Sequence, residues 1–66
     1  MNRKALRLTA KELIKIVESQ GFFFVRQKGS HLRYKNDRGV KITIPNHGSK
    51  ILHPKIIRDV LEGIKS

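Results

Sequence analysis

The chain has no cysteine, only five acidic residues, and no apolar run longer than the four residues Phe22-Phe23-Phe24-Val25. Without cysteine there is no disulfide, no thiolate nucleophile and no cysteine-ligated zinc site, a composition compatible with a cytoplasmic location. Four apolar residues fall far short of the roughly 20 that cross a bilayer, and of a signal-peptide core, so membrane insertion and secretion by that route are not expected. His31, His47 and His53 are separated by sixteen and six residues, which matches no familiar ligand spacing, so neither a metal nor a small-molecule cofactor is expected.

Against these absences stands a strong excess of cations. Fifteen Lys and Arg face five Asp and Glu, a net charge of +10 on 66 residues. Such an excess is self-repelling and implies an anionic partner. Its distribution is uneven. Residues 26–50 hold Arg26, Lys28, Arg33, Lys35, Arg38, Lys41 and Lys50 against Asp37 alone, and residues 9–25 are neutral overall. A one-signed central stretch points to an anion bound there, because a merely solvated surface mixes signs. The length suits one small domain, 1–66, which buries only about 60% of its unfolded surface. Residues 1–8, with Arg3, Lys4 and Arg7, form a basic arm that is either loose or an extension of the first helix.

Thr9-Ala10-Lys11-Glu12 has the spacing of a capping box, and Leu13, Ile14, Ile16 and Val17 follow on one helical face. Gly21 stands where a helix needs a left-handed C-terminal cap. Strands are expected over 22–27, 31–35 and 40–44, joined by turns at Lys28-Gly29-Ser30 and Asn36-Asp37-Arg38-Gly39. Pro45 is expected to stop the third strand ahead of a polar loop, 46–50. Ile56, Ile57, Val60, Leu61 and Ile64 form the stripe of a second helix, with Pro54 at its first position and Leu52 spaced from Ile57 as a hydrophobic staple. His53 is a poor N-cap and has no evident role. The expected class is α+β: an α-β-β-β-α chain folding a three-stranded antiparallel sheet with both helices on one face. The other face is left to solvent with His31, Arg33, Lys35, Lys41 and Thr43. The three phenylalanines read as core, with an outward member available for base stacking.

A serine hydrolase triad lacks its orienting carboxylate, since Asp37 falls in a turn. One reaction does suit a single histidine on a basic face, namely cleavage of RNA by its own 2′-hydroxyl. The substrate supplies the nucleophile, and the protein supplies a base active near neutral pH and cations for the phosphate. Gly21-Phe22, Val25-Arg26-Gln27-Lys28-Gly29-Ser30-His31, Tyr34, Ile44-Pro45-Asn46-His47-Gly48 and the closing amphipathic helix closely resemble the HicA family of bacterial toxin endoribonucleases. The resemblance runs from about Thr9 to Ile64, and Arg26-Gln27-Lys28-Gly29-Ser30-His31 is its most specific part.

The resemblance implies a fold like that of double-stranded-RNA-binding domains, metal-independent cleavage of mRNA that arrests growth, and a HicB antitoxin covering the active site. It maps the catalytic histidine onto His31. Arg26, Lys28, Arg33, Lys35, Lys41 and Lys50 are then expected to meet RNA phosphates. Gly29 serves the turn, with a backbone open to phosphate as its second use, and Ser30 bonds either a phosphate oxygen or local backbone. His47 is either the acid that protonates the leaving 5′-oxygen or a structural loop residue. The chain departs from the family at His53-Pro54-Lys55, where a Gly-Thr type cap is more usual, and in its longer basic arm. Competing readings are a non-catalytic RNA-binding module of the same fold, a DNA-binding protein, and a basic adaptor for an acidic protein. The first would want a dense lysine cluster opening the last helix, which here offers Lys55 and Arg58. A helix-turn-helix would need a recognition helix where strands are expected.

Overall fold

The computed structural model describes residues 7–66. The elements run α1 (Ala10–Ser19), β1 (Phe23–Lys28), β2 (His31–Lys35), β3 (Lys41–Pro45) and α2 (Pro54–Lys65). The strands make one antiparallel sheet in the order β1-β2-β3. Arg3 and Lys4 of the basic arm lie outside the described residues. The end of the arm is extended and does not prolong α1: the Leu8 carbonyl accepts from the Leu52 amide at 2.8 Å, and Thr9 bridges Ile51.

Each helix end is stabilised as its local sequence dictates. The Thr9 hydroxyl accepts from the Glu12 amide at 3.2 Å while the Glu12 carboxylate accepts from the Thr9 amide at 2.9 Å, a complete capping box. At the other end Gly21 takes φ +89°; its amide donates to the Glu18 carbonyl, and the Phe22 amide donates to the Val17 carbonyl. This is a Schellman cap, and the buried Phe22 and Val17 supply its apolar contact. Pro54 opens α2, with Leu52 and Ile57 both buried on either side of the cap.

Alternation along β2 and β3 sends Leu32, Tyr34, Ile42 and Ile44 to one face. There they meet Leu13 and Val17 of α1 and Ile57 and Val60 of α2 in a single cluster. Both helices pack on β3. That arrangement corrects the reading of the phenylalanines as core. Only Phe22 is buried; Phe23, Phe24 and Val25 are 47%, 51% and 45% exposed. With both helices packed on β3, β1, the opposite edge strand, is left exposed along its whole length.

Two strands are also shifted by one residue at both ends from expectation, β1 to Phe23–Lys28, which takes Lys28 out of the expected turn, and β3 to Lys41–Pro45. β1 begins at Phe23 because Phe22 is held in the helix cap. β3 begins at Lys41 because the Val40 amide is taken by the Asn36 side chain. Pro45 does not stop β3 from outside but is its last residue, opposite His31. Its missing amide costs nothing on the outer side of an edge strand. Burial, and secondarily the Glu18 carboxylate, push the Tyr34 phenol above its ordinary value.

Candidate nucleic-acid interface

In an antiparallel ladder, residues directly opposite one another point to the same face. His31, Arg33 and Lys35 of β2 alternate away from the core, and opposite them on β3 stand Pro45, Thr43 and Lys41. On β1 a bulge at Val25 resets the alternation. Lys28 pairs with His31, Arg26 with Arg33 and Phe23 with Lys35, so all three join the open face, whereas Phe24 pairs with Tyr34 on the helix side. There the two rings meet edge to face, with centroids 5.7 Å apart and planes inclined at 71°. Without the extra residue, Phe24 would share a face with Arg26 and Lys28. The bulge is thus what lets β1 present both its cations while turning one aromatic ring towards Tyr34.

The open face therefore gathers Arg26, Lys28, Arg33, Lys35 and Lys41, all exposed. Its middle is hollowed into a depression of about 320 Å³ lined by Val25, Arg26, Arg33, Tyr34, Lys35, Lys41 and Thr43. His31 stands at one end of the same face, two residues along β2 from Arg33, or about 7 Å. A lone imidazole beside a row of cations can exchange a proton with a ligand whose anionic groups the row holds in place.

The His31 end is built from two loops. Gly29 and Ser30 are the whole connection between β1 and β2. Gly29 has φ +59° and Ser30 does not have positive φ, the sign pattern of a type II′ hairpin with glycine first. The Gln27 side-chain amide donates to the Gly29 carbonyl at 2.8 Å. The Asn46 amide donates to the Ser30 carbonyl at 2.6 Å, which ties the 46–50 loop to the hairpin turn. His47 consequently leaves the sheet at the end where His31 sits. Lys50 is not brought onto the face: it lies beyond the ladder, in the turn leading to Ile51 and Leu52, with its amide donating to the His47 carbonyl.

Two polar residues have structural jobs, of which the cap at His53 was not expected from the sequence. His53 does cap α2: its Nδ1 accepts from the Lys55 amide at 3.0 Å, a bond that needs that nitrogen unprotonated. Asn36 is buried, and its side-chain oxygen accepts from the Arg38 and Val40 amides at 3.0 and 2.9 Å, which holds the β2–β3 turn. The turn signal at Asn36 was visible in the sequence. Imidazole capping carries no such signal. Among the described residues, no three His, Asp or Glu side chains are grouped closely enough to hold a metal ion.

Residues 10–65 match the protein-family model described as HicA toxin of bacterial toxin-antitoxin. No curated protein matches the chain.

Proposed function

The chain belongs to the HicA toxin family and is the toxin of a toxin-antitoxin pair, with an antitoxin for a partner; from that premise we propose that it is a metal-independent endoribonuclease that cuts mRNA with His31 as its acid/base. The observation that carries the reading is the register of the sheet, which sets His31 between Lys28 and Pro45 at the end of a face of five cations. The RNA backbone lies along that face, its phosphates held by Arg26, Lys28, Arg33, Lys35 and Lys41. The His31 imidazole takes the proton from a 2′-hydroxyl, and the oxygen attacks the adjacent phosphorus. The bond to the 5′-oxygen breaks, leaving a 2′,3′-cyclic phosphate, and the 5′-oxygen takes a proton from an acid. His47, anchored near the hairpin through Asn46, is the candidate for that acid. Lys28 lies beside the reacting phosphate and offsets the charge that develops on it. The Gly29 backbone, with open space where a Cβ would stand, approaches the same phosphate, and Ser30 bonds one of its oxygens. Lys50, off the sheet, extends the path of the backbone past the His31 end.

The partner on this reading is a HicB-type antitoxin that covers the open face and neutralises part of the +10 charge. By mass action it also stabilises a domain with a small core. The test is induction of the chain in a bacterium beside His31→Ala, following growth and message integrity. Arrest with fragmented messages by the wild type alone is expected. Equal arrest by the variant, or arrest with intact messages, refutes His31 catalysis. Cleavage by the purified protein is expected to persist in EDTA, and its loss there would overturn the metal-independent mechanism.

A further inference from the structure

Phe23 and Val25 are about half exposed, and the strand register places Phe23 on the same face as the cations, opposite Lys35. Val25 sits in the bulge and lines the depression beside Arg26, Arg33, Lys35 and Lys41. An apolar ring set among cations suits neither bare phosphate binding nor a duplex. Phosphates want only charge, and an A-form helix keeps the faces of its bases stacked inside. A single strand offers both groups at once, phosphates for the cations and unstacked bases for the ring. We propose that the depression and Phe23, which stands beside it opposite the lining residue Lys35, form a base subsite, in which an unpaired nucleobase seats against Val25 and stacks on Phe23 while Arg26, Arg33, Lys35 and Lys41 hold the flanking phosphates. The inference rests on the endoribonuclease reading and names its substrate as single-stranded.

Spacing supports the same conclusion. Arg33 lies about 7 Å from His31 along β2, and Lys35, opposite Phe23, lies about 13 Å away. The first interval is within reach of one nucleotide of an extended strand, the second of two. A base seated in the depression therefore belongs to a nucleotide close to the scissile phosphate, and it fixes the register in which a 2′-hydroxyl meets the imidazole. Phe24 on the opposite face, equally exposed and equally aromatic, takes no part.

The chain has no tryptophan, so Phe23→Trp introduces a single fluorophore at the site. In a His31→Ala background, which prevents turnover, the indole is expected to be quenched by a short single-stranded oligoribonucleotide and not by the same sequence as a blunt duplex. Phe23→Ala is expected to weaken single-strand binding about tenfold, with Phe23→Leu nearly as weak because it restores apolar area without a ring face. Phe24→Ala should bind as the parent does. Circular dichroism of each variant checks that the exposed substitutions leave the fold intact. Equal quenching by duplex, or unchanged single-strand affinity in Phe23→Ala, overturns the subsite. So does loss of antitoxin binding alone in Phe23→Ala, which would make the patch a protein contact. Because every arm measures binding without turnover, these failures are distinct from failure of the His31 test, which reads cleavage.

Discussion

If the open face holds RNA by charge, its affinity must fall with salt by an amount that the strand register fixes in advance. Five cations share that face: Arg26, Lys28, Arg33, Lys35 and Lys41. Each phosphate neutralised on a single strand contributes about 0.7 to the slope of log affinity against log salt, so five give a slope near −3.5. Between about 50 and 200 mM salt that slope costs roughly 100-fold in affinity. Removing one contact with Arg33→Ala is expected to weaken binding at low salt and to reduce the slope to about −2.8. Lys15, exposed on the outer side of α1, is the control: Lys15→Ala should leave the slope where it was. Fluorescence anisotropy of a labelled single-stranded oligoribonucleotide with the His31→Ala protein measures each slope without cleavage. A parent slope shallower than about −1, or equal losses in Arg33→Ala and Lys15→Ala, would show that the RNA does not lie on this face.

Asn36→Ala removes the acceptor of two turn amides and leaves a half-buried Val40 N–H without a partner. It is expected to cost about 2–3 kcal/mol and to lower the thermal midpoint by about 10–20 °C, while Asn36→Asp, which keeps the acceptor, costs far less; equal losses in calorimetry would refute the bonding assigned to the side chain. His53→Asn exchanges an imidazole cap for a stronger one and should stabilise the chain by about 0.5 kcal/mol in urea denaturation, with RNA affinity unchanged. The Tyr34 phenol is raised in the fold by burial first and Glu18 second, so the folded state holds its proton where the unfolded chain has released it. Stability is therefore fully present below the ordinary tyrosine value of about 10 and falls as pH rises above it; Tyr34→Phe should show a smaller fall in alkaline urea titrations, and an unaltered one would count against the assignment.

What the sequence disclosed and what it hid follow one division. Features fixed by residues near in the chain were legible: the capping box at Thr9 and Glu12, the Schellman glycine at Gly21, the stripe of α2, and the alternation that sends His31, Arg33 and Lys35 to one side and Leu32 and Tyr34 to the other. Features fixed by which elements stand over which strand were not. Phe22, Phe23 and Phe24 are identical in chemistry, and only the placement of the two helices decides that one is core and two are surface. The bulge at Val25 was equally hidden, because it is defined by the partner strand's count of residues and not by β1's own. Yet it decides the composition of the open face, turning Arg26 and Lys28 towards His31 and Phe24 away. Lys50 shows the converse. Its charge counted towards the basic centre of the sequence, but the loop that carries it leaves the sheet before reaching it. A run of cations in sequence thus shares a common face only where the ladder provides one. The exposed Phe23, which the sequence assigned to the core, adds to that face an aromatic ring that charge alone does not explain.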